Sequence, residues 1–76
     1  MKKLYEELKN VNGIISISLE NEAITIERKD GLTGNISEGE TWEGEKFYNV
    51  YTSYNGYLVK NNNKSFDCVI NIFEVY

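Results

Sequence analysis

Asn55-Gly56 sits inside "FYNVYTSYNGYLV", residues 47 to 59, and no other pair in the chain restricts the path of the backbone so tightly. A two-residue hairpin loop of type I′ needs positive φ at both central positions, and Asn-Gly tolerates that best. The loop predicts two antiparallel strands in which Tyr54 opposes Tyr57, Ser53 opposes Leu58 and Thr52 opposes Val59. Tyrosine recurs at every third position, as Tyr48, Tyr51, Tyr54 and Tyr57, which suggests a helical stripe until the turn is considered. Strand alternation instead places Tyr48, Val50, Thr52 and Tyr54 on one face with Tyr57 and Val59. Phe47, Asn49, Tyr51 and Ser53 fall on the other with Leu58 and Lys60.

A second hairpin precedes it. "IISISLE" alternates Ile15, Ile17 and Leu19 with Ser16, Ser18 and Glu20, and "AITIERK" alternates Ile24 and Ile26 with Thr25 and Glu27. A loop at Asn21-Glu22 pairs Leu19 with Ile24 and Ile17 with Ile26, so the apolar set lands on one face; a one-residue slip would divide it between faces. Upstream, Leu4 and Leu8 lie four apart with Tyr5 beside them in Lys2 to Asn10. This reads as a two-turn amphipathic helix that must dock on a sheet, because a helix so short is marginal alone.

Lys29 to Glu45 has a different texture, with four glycines and only Leu32, Ile36 and Trp42 as large apolar residues. It is expected to be a long connection containing at most a short strand over residues 32 to 37. The terminal "FDCVINIFEVY" carries Cys68, Ile70 and Ile72 on one alternating face and Val69, Phe73 and Val75 on the other, which predicts a long strand apolar on both sides. The expected fold is α+β: a short N-terminal helix packed on an antiparallel sheet of about five strands, either open or curled into a small, partly open barrel. The length of 76 residues allows a single domain spanning 1–76.

Composition removes several kinds of chemistry. The chain has no histidine, the commonest general base and metal ligand, and its single cysteine cannot form an intramolecular disulfide or a thiolate cluster. Cys68, in the expected last strand, reads as an inert buried thiol. The glycines of "GLTGNISEG" lack the lysine and the following helix of a phosphate cradle and read as turn glycines. Carboxylates are abundant at Asp30, Glu38, Glu40, Glu43 and Glu45, but no EF-hand spacing is present, and the stretch reads as a solvated acidic loop. No catalytic residue, cofactor or metal is assigned, and the chain is expected not to be an enzyme.

What remains is charge and aromatic content. The net charge of −4 disfavours direct binding to nucleic acid. No apolar run approaches the roughly 20 residues needed to span a bilayer, and Glu6 and Glu7 interrupt any signal-peptide core, so no membrane contact and a cytoplasmic location, in a bacterial or phage-infected cell, are expected. Tyrosine and tryptophan bury large area at low entropic cost when they meet a partner. The expected partner-binding residues are therefore Trp42, Glu38, Glu40, Glu43, Glu45, Tyr48, Tyr54 and Tyr57, facing a larger protein with a basic surface. In size and charge the chain is broadly similar to the small acidic inhibitors carried by phages and mobile elements, among them anti-defence and immunity proteins. The alternative is a binder of a nucleotide or metabolite that stacks its ligand on the aromatic face as a homodimer.

Overall fold

Two tight turns set the register of the sheet. The computed structural model describes residues 1–74, and its elements run α1 (Lys2–Lys9), β1 (Ile14–Glu20), β2 (Ala23–Arg28), β3 (Thr33–Glu40), β4 (Lys46–Tyr54), β5 (Tyr57–Lys64) and α2 (Phe66–Phe73). Asn21 and Glu22 adopt φ of 49° and 62°, and Asn55 and Gly56 adopt 51° and 83°, so both hairpins have the two-residue loops expected of them. Leu19 pairs with Ile24 and Ile17 with Ile26, while Tyr54 pairs with Tyr57, Ser53 with Leu58 and Thr52 with Val59. The five strands form one antiparallel meander in the order β1-β2-β3-β4-β5. The sheet is open, with β1 and β5 as its two edges.

One face of this sheet carries both helices. Leu4 and Leu8 of α1, Ile24 and Ile26 of β2, Ile36 of β3, Val50 of β4, and Val69 and Phe73 of α2 form a single buried cluster. α1 lies toward β1 and α2 toward β4, and the helices touch each other. Gly34 makes this closure possible: a Cβ there would stand 2.5 Å from the Phe73 ring, so only a glycine lets the ring settle against β3. Among the described residues, no helix covers the opposite face of the sheet.

The region from Lys29 to Glu45 is more ordered than its glycines suggest. β3 extends over eight residues to Glu40 and pairs along its whole length with β4, from Thr33↔Ser53 to Glu40↔Lys46. What was expected to be a long connection is two short turns. The reason is cross-strand support: Gly34 admits Phe73, and Gly39 lies under the Phe47 ring opposite it, so two poor strand formers are filled in by aromatic neighbours.

The terminal run is a helix, not a strand. Ser65 caps it, its Oγ accepting a hydrogen bond from the Cys68 N–H at 3.3 Å, and Asp67 places an acid in the first turn. Phe66 with Ile70, and Val69 with Phe73, lie four apart and form one apolar side, of which Val69 and Phe73 are fully buried. The β-branched residues Val69, Ile70 and Ile72 resemble a strand locally, but helical spacing seals the core better than alternation would. Cys68 consequently points away from the core and is exposed, correcting its expected burial. Val75, assigned to the same run, lies outside the described residues.

Candidate functional site

Strand β4 carries the expected partner-binding residues to opposite ends of the molecule. Its nine residues from Lys46 to Tyr54 span roughly 26 Å at the usual rise, close to the limit set by a longest dimension of 38 Å. Trp42 lies beyond one end, in the β3–β4 turn, and Tyr54 and Tyr57 lie at the other. They cannot form one contiguous site.

The Trp42 turn is built by its own hydrogen bonds. Gly44 N–H donates to Thr41 C=O at 2.9 Å, Thr41 N–H donates to Glu45 C=O at 2.8 Å, and Glu45 N–H donates to Thr41 Oγ1 at 3.1 Å. Gly44 has φ of 89°. This is a three-residue hairpin loop, Trp42-Glu43-Gly44, in which a turn is followed by a left-handed glycine. It leaves the Trp42 indole 96 % exposed. Glu40, Glu43 and Glu45 are exposed around it. Meander topology brings the β1–β2 turn to this same end, so Glu20 and Glu22 add to the acidic character there.

Glu38 belongs to the frame of this end and not to its surface. Its carboxylate accepts the N-terminal ammonium of Met1 at 3.3 Å and Lys46 Nζ at 3.2 Å, and the side chain is 22 % exposed. Desolvation is the largest single influence on Glu38 and pushes its pKa up; the bonds from Lys46 and the N-terminus together outweigh it and hold the group below its ordinary value. Lys46 is raised in turn, chiefly by its hydrogen bond to Glu38. Asp30 is tied to Arg28 by two hydrogen bonds at the far end of β2, so it does not contribute to the acidic end.

Tyr48 also proves structural. It is half-buried, meets the Phe66 ring edge-on at a centroid distance of 6.4 Å, and burial raises its pKa. Tyr54 and Tyr57 lie beyond the cover of the helices and are exposed by 44 % and 77 %. Leu58 and Val59 next to them are exposed by 64 % and 51 %. These two aliphatic residues were not among the expected contact residues, although their position beside the Asn-Gly turn on a strand with a polar continuation was visible in the sequence.

On the helix-free face a shallow hollow of about 290 Å³ lies among Thr25, Thr33, Asn35, Tyr51, Ser53 and Leu58. Lys60 Nζ sits over the Tyr51 ring, 5.9 Å from its centre. Among the described residues no cluster of His, Cys, Asp or Glu side chains could hold a metal ion, and no helix is long and apolar enough to cross a membrane. Comparison with protein-family models, curated proteins and solved structures finds no match to this chain.

Proposed function

We propose that this protein is a non-enzymatic binding module that attaches to a larger protein through the β3–β4 turn and acts as an inhibitor or antagonist, of the kind phages and mobile elements carry. The observation that carries this reading is Trp42, held on an internally hydrogen-bonded turn with its indole almost wholly in water. An exposed indole is a large, rigid anchor of the kind that dominates protein interfaces, and a preformed loop reduces the ordering cost of binding. Glu40, Glu43 and Glu45 around it favour a partner that offers a slot for the indole rimmed by lysine or arginine. Size and acidity support the antagonist role; the turn supports protein contact.

The test is capture from a bacterial lysate with the partner identified by mass spectrometry, comparing the natural chain with Trp42→Ala and Trp42→Ala/Glu40→Lys. The double variant is expected to keep its circular dichroism spectrum and lose the partner, and Trp42 fluorescence of the natural chain is expected to shift to shorter wavelength when the purified partner is added. Equal capture by all three proteins removes the turn from the reading.

A second reading, a small-ligand binder, draws on the hollow beside Tyr51, whose hydroxyl and amide lining and adjacent Lys60 suit a small polar anion. A nucleotide and metabolite panel that raises Tm supports it by mass action. A flat panel counts against it.

A further inference from the structure

We infer that the free edge of β5 receives a second copy of this chain, paired antiparallel about Val59. The Asn55-Gly56 turn decides which backbone groups are available. The pair that closes a two-residue loop exchanges hydrogen bonds and the pattern then alternates, so Tyr54–Tyr57 and Thr52–Val59 are bonded pairs while Ser53–Leu58 and Tyr51–Lys60 are not. Leu58 and Lys60 therefore direct their N–H and C=O groups away from β4, toward solvent. Setting Leu58 of one copy opposite Lys60 of the other satisfies these groups in both chains. Val59 then faces Val59 of the second copy across the two-fold axis, as a non-bonded pair with Cα atoms roughly 4.5 Å apart.

The two edges of the sheet differ in how they are guarded. β1 carries a bulge between Ile14 and Ser16, a device that blunts pairing. β5 is guarded only in its second half, where its register against β4 slips beyond Asn61, Asn63 takes φ of 58° and donates its N–H to Asn49 Oδ1, and Lys64 follows. Its first half, Tyr57-Leu58-Val59, has no such guard among the described residues and is apolar on both sides of the strand. Lys60 does not oppose itself in the proposed register: the two ammonium groups are diagonal neighbours, with their Cα atoms roughly 7–8 Å apart.

Area sets the expected strength. Tyr51, Tyr54, Tyr57, Leu58 and Val59 are exposed by 38, 44, 77, 64 and 51 %. Tyr51 and Tyr54 stand on β4, one strand in from the edge, so the area a second copy covers comes mainly from Tyr57, Leu58 and Val59 and stays below the roughly 1,000 Å² in total of a stable specific interface. The dimer is therefore expected to be weak and to depend on concentration.

Sedimentation equilibrium of the full chain between about 1 and about 200 µM tests the inference. The expected result is a monomer–dimer equilibrium whose dissociation constant rises at least about tenfold in Val59→Lys, which sets two ammonium groups on the axis, with the dilute thermal melt unchanged. Leu58→Pro removes an outward N–H that serves no bond to β4 and is expected to weaken the dimer likewise. In a Cys68→Ser background, Val59→Cys is expected to form an interchain disulfide under mild oxidant and Leu58→Cys is not, because only Val59 faces its own copy. A monomer at every concentration, a dimer unaffected by Val59→Lys and Leu58→Pro, or equal crosslinking at both positions would each overturn the inference. None of these results bears on capture through Trp42, at the other end of the molecule.

Discussion

Replacing Gly34 by alanine isolates the contact that seats α2 on the sheet, and its sign alone is diagnostic. Gly34 does not have positive φ, and at such a strand position Gly→Ala ordinarily stabilises by about 0.5–1 kcal/mol through the unfolded chain. Here the new Cβ would stand 2.5 Å from the Phe73 Cε1 and Cζ atoms and 2.9 Å from Ile26 Cγ2. Both neighbours are buried, at 0 % and 1 % exposure. Carbon atoms pack at roughly 3.5–4.0 Å, so the ring must retreat by about 1 Å within a closed layer, an overpacking cost of about 1–3 kcal/mol. The net expectation is a loss of about 1–2 kcal/mol, lowering Tm by roughly 5–15 °C in a chain of this size. Urea and thermal unfolding followed by far-ultraviolet circular dichroism measure it. Adding Phe73→Leu makes room for the methyl group, so the double variant is expected to be more stable than the sum of the single effects by about 1 kcal/mol. Gly39→Ala is the internal comparison. Its Cβ would also meet a ring, that of Phe47, but this ring is half-buried on the helix-free face and can swing into solvent, so the cost is expected to stay within about 0.5 kcal/mol. A Gly34→Ala protein as stable as the natural chain, or equal costs at the two glycines, would refute the account of how α2 docks.

Two further outcomes follow from the acidic end. Glu22 occupies the left-handed region at φ 62°, which costs an ordinary side chain about 1 kcal/mol or more; Glu22→Gly is expected to raise Tm by a few degrees while Glu22→Gln, which removes only charge, does not. Glu38 has its pKa held below the ordinary 4.5, so its share of stability is present above that value and is lost as pH falls through the lowered one. Glu38→Gln is therefore expected to lower Tm near neutrality and to flatten the decline of Tm just below pH 4.5. Asp30, whose pKa is lowered from 3.8 to about 2, chiefly by its hydrogen bond from Arg28, contributes to the acid loss that persists. Parallel Tm profiles for the variant and the natural chain across that range would reject the role given to Glu38.

The parts of this fold that were legible in the sequence are those whose geometry is decided locally. Both two-residue turns and the pairing of Ile17 with Ile26 and of Thr52 with Val59 followed from turn chemistry and alternation, and the docking of Leu4 and Leu8 from their helical spacing. β3 was only faintly visible because its glycines serve rings from elsewhere: Gly34 yields to Phe73, thirty-nine positions away, and nothing local announces that need. α2 was misread because Val69, Ile70 and Ile72 favour strands, although Ser65 as a cap and the spacing of Phe66, Val69, Ile70 and Phe73 carried the correct signal. The sequence did not convey where the expected contact residues sit. Glu38 and Tyr48 prove to be framework, Trp42 with Glu40, Glu43 and Glu45 occupies one end, and Tyr54 and Tyr57 the other.

That separation determines what the two proposed contacts do together. In a meander the β3–β4 and β4–β5 turns necessarily lie at opposite ends of β4. The axis through Val59 sits only three residues from the Asn55-Gly56 turn, so pairing overlaps the apolar ends of two copies and drives the acidic ends apart, with the two Trp42 residues roughly 50 Å from each other and pointing in opposite directions. A dimer built this way cannot place both indoles on one flat partner surface. It would bridge two partner molecules in a 2:2 assembly, and partner binding and self-association would not compete. The same geometry keeps the exposed Trp42 and the exposed Tyr54 and Tyr57 on separate surfaces of the monomer, with the length of strand β4 between them.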